Sequence, residues 1–174
     1  MLKSQDVVIA LKIALSADAP WTQSQLAYEL GMSASEVNAG IRRGIACELL
    51  HRDRDTRKVL VLRHNLLEFV LHGLRYVFPA ERGAPARGLA TGVALDKFRS
   101  LLVRSSDPPP VWPDTNGRTR GYTLKPLYPS VPFAAQRDEK LYEVLAMIDA
   151  LRDGLGAERE TAAVEISRLL SPAT

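Results

Sequence analysis

Two runs of side chains carry groups that could act on a partner. Ser33, Ser35, Asn38, Ala39, Arg42 and Arg43 share the outward side of one predicted helix, with Val37 and Ile41 turned the other way. Hydroxyls, an amide and guanidinium groups at fixed helical spacing make a hydrogen-bonding surface, without a base set beside a nucleophile. Asparagine can pair bidentately with adenine, and arginine with guanine or a phosphate. The second run, Arg52, Arg54, Arg57 and Lys58, alternates with Asp53 and Asp55 and offers cations suited to a phosphate backbone. Each run also has a plainer reading. Arg42 and Arg43 can be an ordinary solvated helix face, and the Arg and Asp side chains can satisfy one another across a turn.

Other residues point less far. Cys47 and His51 have the spacing of helix ligands, but two ligands do not make a metal site. His64 reads as a polar residue where a helix starts, and His72 as a histidine at the edge of the core. No Ser/His/Asp order, phosphate-binding glycine loop or carboxylate pair is visible, so we expect no enzyme, no cofactor and no metal. Gly117-Arg118-Thr119-Arg120-Gly121-Tyr122 places two arginines and a tyrosine among glycines. It can hold phosphate or stack on a base, or be an exposed turn before a short strand.

The elements that must position these residues follow from periodicity and capping. Ser4 to Leu15 predicts a helix with a broad apolar face, broken near Ser16–Pro20. Thr22 with Gln25 predicts a capping box for a second helix over Gln23–Leu30, and Ser33 with Glu36 does the same for a third through about Cys47. Gly31 supplies the turn between them. Two short apolar runs, Leu49–His51 and Lys58–Leu62, predict a β-hairpin about the charged turn. A fourth helix, about Leu66 to Phe78, is apolar on most sides and is expected to lie between two bodies of protein.

Residues 79–132 hold nine of the 11 prolines. A short helix around Ala94–Val103 is expected there. Asp107-Pro108-Pro109-Pro110 and Tyr128-Pro129-Ser130-Val131-Pro132 are expected to be extended or turning. With Trp112, Tyr122, Leu124, Leu127, Tyr128 and Phe133 in it, the segment predicts an ordered, irregular layer against the helices. From Arg137 onward, Leu141, Val144, Leu145, Ile148, Leu151 and Leu155 mark an amphipathic helix whose stripe is either core or a dimer seam. Gly154 and Gly156 end it, and a last helix carries Ala162, Ile166, Leu169 and Leu170. There is no internal repeat or low-complexity tract.

The spacing of Ala27, Gly31 and Val37, with Leu30 and Ile41 beside them, resembles the helix-turn-helix unit of bacterial transcriptional regulators. With the hairpin after it, residues 4–63 look like the winged-helix subclass of the MarR, IclR and ArsR type. The resemblance implies a sequence-specific regulator of transcription that binds double-stranded DNA as a homodimer. It puts the third helix in the major groove and Arg52, Arg54, Arg57 and Lys58 on the wing. It also implies a mainly α fold with a small β-hairpin wing, divided as residues 1–78 (DNA-binding), 79–136 (Pro/Gly-rich, irregular) and 137–174 (helical). Only three residues precede the first helix, so dimerisation is expected from the C-terminal helices. A small-molecule effector is compatible with this arrangement, though no residue identifies one. The alternative is a winged-helix subunit that docks other proteins in a complex without touching DNA.

Composition bounds these readings. Of 174 residues, 46% are hydrophobic and 25% charged, as in a globular protein. No apolar run approaches a membrane span and no leader pattern is visible, so the cytoplasm is expected. The net charge of +3 is unevenly spread: residues 39–63 hold seven Lys/Arg against three acids, while residues 137–174 hold five against eight.

Overall fold

The computed structural model describes residues 1–16, 20–100 and 107–171. The expected helix break at 17–19 and the end of the expected Ala94–Val103 helix lie outside the described residues.

The chain is mainly helical, with a two-stranded antiparallel hairpin and a separate three-stranded sheet. Helix α1 (Ser4–Leu15) is more deeply placed than its pattern suggests. Every residue from Asp6 to Ala14 is buried, so the helix is enclosed on all sides. Helix α7 (Glu139–Asp153) is its counterpart, buried throughout Val144–Arg152. The apolar stripe from Leu141 to Leu151 is therefore core within this chain, whereas Leu155, expected to continue it, lies beyond the helix end and is exposed. Helix α8 (Gly156–Leu170) covers α7 through Ala162, Ile166 and Leu170.

Helices α2 (Gln23–Leu30) and α3 (Ala34–Ala46) start and stop where local chemistry sets them. Thr22 accepts a hydrogen bond from the Gln25 amide (3.1 Å), although the Gln25 side chain does not complete the expected box. Gly31 ends α2 with φ +63°, a conformation costly for any residue with a Cβ. Ser33 and Glu36 form the full reciprocal box at the start of α3. The hairpin, β1 (Leu50–Arg52) and β2 (Val59–Val61), pairs Leu50 with Val61 and Arg52 with Val59.

The fourth helical stretch runs as α4 (Arg63–Glu68), a wide π turn (Phe69–Gly73) and α5 (Leu74–Val77). It is not enclosed as expected. Leu66, Val70 and Leu74 are buried, whereas His64, Glu68, His72, Tyr76 and Val77 are exposed.

The middle segment differs most from expectation. It is a regular sheet of β3 (Arg82–Ala90), β4 (Pro110–Pro113) and β5 (Thr119–Leu124), in which each strand pairs with the other two. The strands approach so closely that a Cβ on Gly88 would lie 1.9 Å from the Trp112 carbonyl oxygen, and one on Gly121 1.7 Å from that of Pro109. The residues that argue against strand by propensity are thus what allows the sheet to close. Two 3-10 turns, Gly92–Ala94 and Asp96–Phe98, stand where the short helix was expected to begin. Val131 and Pro132 are not extended. They open helix α6 (Val131–Ala135), since proline is tolerated in a first turn.

Buried and half-buried ions fasten these parts together. Asp149 on α7 accepts from Thr91 Oγ1 (2.8 Å), Trp112 Nε1 (2.6 Å) and Arg152 Nη1 (2.7 Å). Arg152 also donates to the carbonyls of Phe78 (2.9 Å) and Pro79 (3.0 Å). Lys12 bridges Glu29 (2.7 Å) and the α7 cap Asp138 (2.6 Å). Burial opposes the charge on Lys12, but the two carboxylates outweigh it and hold the ammonium's pKa above its usual value. Arg63 donates to the carbonyls of Ala14 and Leu170, both at 2.7 Å, neutralising two helix C-termini at once. Among the described residues no helix is long and apolar enough to cross a membrane.

Candidate functional site

Helix α3 has two sharply different sides. Val37, Gly40, Ile41 and Gly44 face inward. Gly40 is where α3 meets α1, because a Cβ there would come within 2.4 Å of Ile9 Cδ1. Ser35, Asn38 and Arg42, spaced three and four residues apart, form one exposed stripe on the other side. Ala39 is half-buried at its margin. Among the described residues, neither the Asn38 nor the Arg42 side chain has a hydrogen-bonding or ionic partner.

Arg43 does not belong to that stripe, contrary to the outward placement expected for it. Its Nε and Nη2 donate to Asp6 Oδ2 (2.8 Å) and Oδ1 (2.7 Å), and the Lys3 amide donates to the same carboxylate at 2.8 Å. The Asp6 side chain is wholly buried and that of Arg43 is 24% exposed. The guanidinium fork is thus spent on locking α3 to the first turn of α1. The helical pattern turns position 43 toward the flank of the buried face. What pulls it in is a carboxylate 37 residues away.

At the start of α3, Ser33 is exposed and occupied with capping. Its Oγ accepts from the Glu36 amide (3.2 Å) and lies 3.1 Å from Ser35 Oγ. The Glu36 carboxylate receives the Ser33 amide (2.8 Å), Ser33 Oγ (2.7 Å) and, from far along the chain, the Tyr128 hydroxyl (2.6 Å). The Tyr128 bond and then the two from Ser33 stabilise its charged form and hold its pKa down to about 2. Phe133 of α6 closes over the α2–α3 turn, where a Cβ on Gly31 would lie 2.8 Å from its ring. Tyr128 and Phe133 are thus the supports of α3 that local sequence reading missed. The aromatic content of the segment was the signal available.

The hairpin begins directly after α3, with Leu50 packed on Gly44. Its turn is built by Asp53, whose Oδ1 accepts from the Thr56 amide (2.7 Å), Thr56 Oγ1 (2.7 Å) and the Asp55 amide (3.2 Å). These bonds, led by that from the Thr56 amide, lower the Asp53 pKa. Arg57 closes the turn in a left-handed conformation, φ +60°. Arg52, Arg54, Arg57 and Lys58 are all exposed, and Arg52 Nη1 reaches only the Arg57 carbonyl (3.1 Å). None of the four is ion-paired among the described residues. The plainer reading, in which Arg and Asp satisfy one another across this turn, finds no ion pair among the described residues, and Asp53 is turned onto its own backbone.

Cys47 is exposed at the end of α3, and both it and His72 line an open cleft of about 600 Å³ beside Leu2, Glu48 and Phe69. His51 lies on β1. Among the described residues no group of three or more His, Cys, Asp or Glu is placed to hold a metal ion. Compared with known proteins, the chain matches no protein family, no curated protein and no solved structure.

Proposed function

We propose that residues 4–63 form a winged helix-turn-helix and that the protein binds duplex DNA through α3 and the hairpin, as a regulator of transcription. One observation carries the reading. An exposed stripe of Ser35, Asn38 and Arg42 is followed by a hairpin whose four cations have no acidic partner among the described residues. Exposed hydrogen-bonding groups on a helix narrow enough for the major groove suit base edges, and cations without an ion pair on an adjoining hairpin suit phosphates.

In this reading Asn38 pairs with adenine, Arg42 with guanine or a phosphate, and the hairpin tip tracks the neighbouring backbone. Ser33 holds the helix start, and Arg43 is a positioning residue that fixes the angle of α3 on α1. Pairing of two copies completes the proposal. Because α7 is enclosed, a C-terminal pairing has to use α8, where Val164 is 67% exposed.

The reading is tested by selecting bound fragments from a duplex library with the purified chain. The expected result is a palindromic motif with half-sites about 10 base pairs apart, one helical turn. No enrichment, together with co-purification of a stable hetero-partner, would instead support a docking subunit that does not touch DNA.

A further inference from the structure

A second set of unpartnered cations lies on the three-stranded sheet. β3 and β5 pair so that Arg87 stands directly opposite Arg120. Residues directly opposite on antiparallel strands project to the same face, where two like charges repel and weaken the pairing. Both are exposed, as is Arg118 in the turn that leads into β5. The other sheet cations are neutralised: Arg82 by Asp153 (2.7 Å) and Lys125 by Glu81 (2.9 Å). Asp114, the acid nearest in sequence to Arg118, is occupied by the Asn116 amide (2.8 Å) and Gln136 Nε2 (2.5 Å). Among the described residues Arg87, Arg118 and Arg120 have no hydrogen-bonding or ionic side-chain partner. A fold that pairs its cations elsewhere on the sheet keeps these three free, at a cost to strand pairing.

We propose that Arg87, Arg118 and Arg120 form a second phosphate-binding surface, which takes the sugar–phosphate backbone of duplex DNA independently of base sequence. The chemistry selects phosphate over bases. Tyr122, the aromatic that could stack on a base, has its ring covered by Arg82 at 4.6 Å and its hydroxyl donated to Asp153 at 2.6 Å. Guanidinium groups bind phosphate oxygens bidentately, and two arginines opposite one another span neighbouring oxygens without rearranging the strands. The inference extends the DNA reading of α3 and fails separately from it.

The test measures affinity of the full chain for a long random-sequence duplex over a salt series. Replacing all three by glutamine (Arg87→Gln, Arg118→Gln, Arg120→Gln) is expected to flatten the slope of log affinity against log salt by about 2–3. The melting temperature should hold or rise, because a like-charge pair is relieved. Replacing all three by lysine should retain the slope. A charge-matched control, Arg75→Gln, Arg99→Gln and Arg168→Gln, should also leave it near wild type. If the triple glutamine variant fails to fold, Arg120→Gln alone is expected to flatten the slope by about 1. An unchanged slope in the triple variant, with Arg42→Ala still weakening binding, overturns this surface and leaves the α3 reading standing. No duplex binding by wild type, or binding of RNA or acidic peptide alone, overturns it as well.

Discussion

The hairpin and the junction of α7 with the three-stranded sheet treat charge in opposite ways. At the junction, Asp149 is surrounded by three donors, Arg152 is tied to it and to the backbone carbonyls of Phe78, Pro79 and Lys125, and Asp153 holds Arg82 and Tyr122. At the hairpin, four cations project into solvent and Asp53 folds back on its own turn. Charge that holds the fold is hydrogen-bonded on several sides. Charge left free on an ordered scaffold is available to a partner. The contrast recurs between neighbours, since Arg43 is locked to Asp6 while Arg42 has no side-chain partner among the described residues.

Variants can break this division, and the largest effect is expected at the junction. Asp149→Ala leaves the Arg152 guanidinium buried without its carboxylate, and should cost about 3–5 kcal/mol in urea unfolding. Arg43→Ala strands a buried carboxylate that still has the Lys3 amide, so about 2–4 kcal/mol is expected. Arg42→Ala, one residue away, should change stability by no more than about 0.5 kcal/mol. Equal losses at 42 and 43 would erase the distinction between a structural and a free arginine. Arg57→Gly should raise stability by about 0.5–1 kcal/mol by relieving a left-handed backbone, while weakening DNA binding. A rise in both would remove Arg57 from the DNA surface.

The smallest effect concerns pH. Glu36 is held near pKa 2, below its unfolded value, so the stability it contributes is complete above about pH 4.5 and is lost as pH falls toward 2. Tyr128→Phe removes the leading cause and should move the Glu36 carboxyl back up toward its ordinary value, seen by carbon-detected NMR titration. A pKa unmoved in Tyr128→Phe would mean that Ser33 alone sets it.

What was legible in the sequence was local. Helices α1, α2 and α3 and the Ser33–Glu36 box follow from side chains within a few residues of the backbone groups they satisfy, and Gly31 from the conformation its turn requires. The three-stranded sheet was not legible, because Arg82–Ala90 contains two glycines and a proline and no β-branched residue. Its strands are specified by how closely the backbones must pass, which only the assembled sheet reveals. The candidate site divides the same way. The exposed stripe of α3 follows from helical period, while the withdrawal of Arg43 depends on Asp6 and the support of Glu36 on Tyr128, 92 positions away. The Gly40 and Gly44 spacing marks the side of α3 that packs most closely, and was the available hint that position 43 lies near it.

The central proposal is that the exposed cations of α3 and the hairpin meet DNA. It is tested most directly by titrating a selected duplex with wild type and with the Arg42→Ala, Arg54→Ala double variant. The expected result is an unchanged melting temperature with affinity weakened by about 1–3 kcal/mol, roughly 5- to 150-fold, and a shallower salt dependence. Equal affinity and equal salt dependence for the two proteins would contradict it.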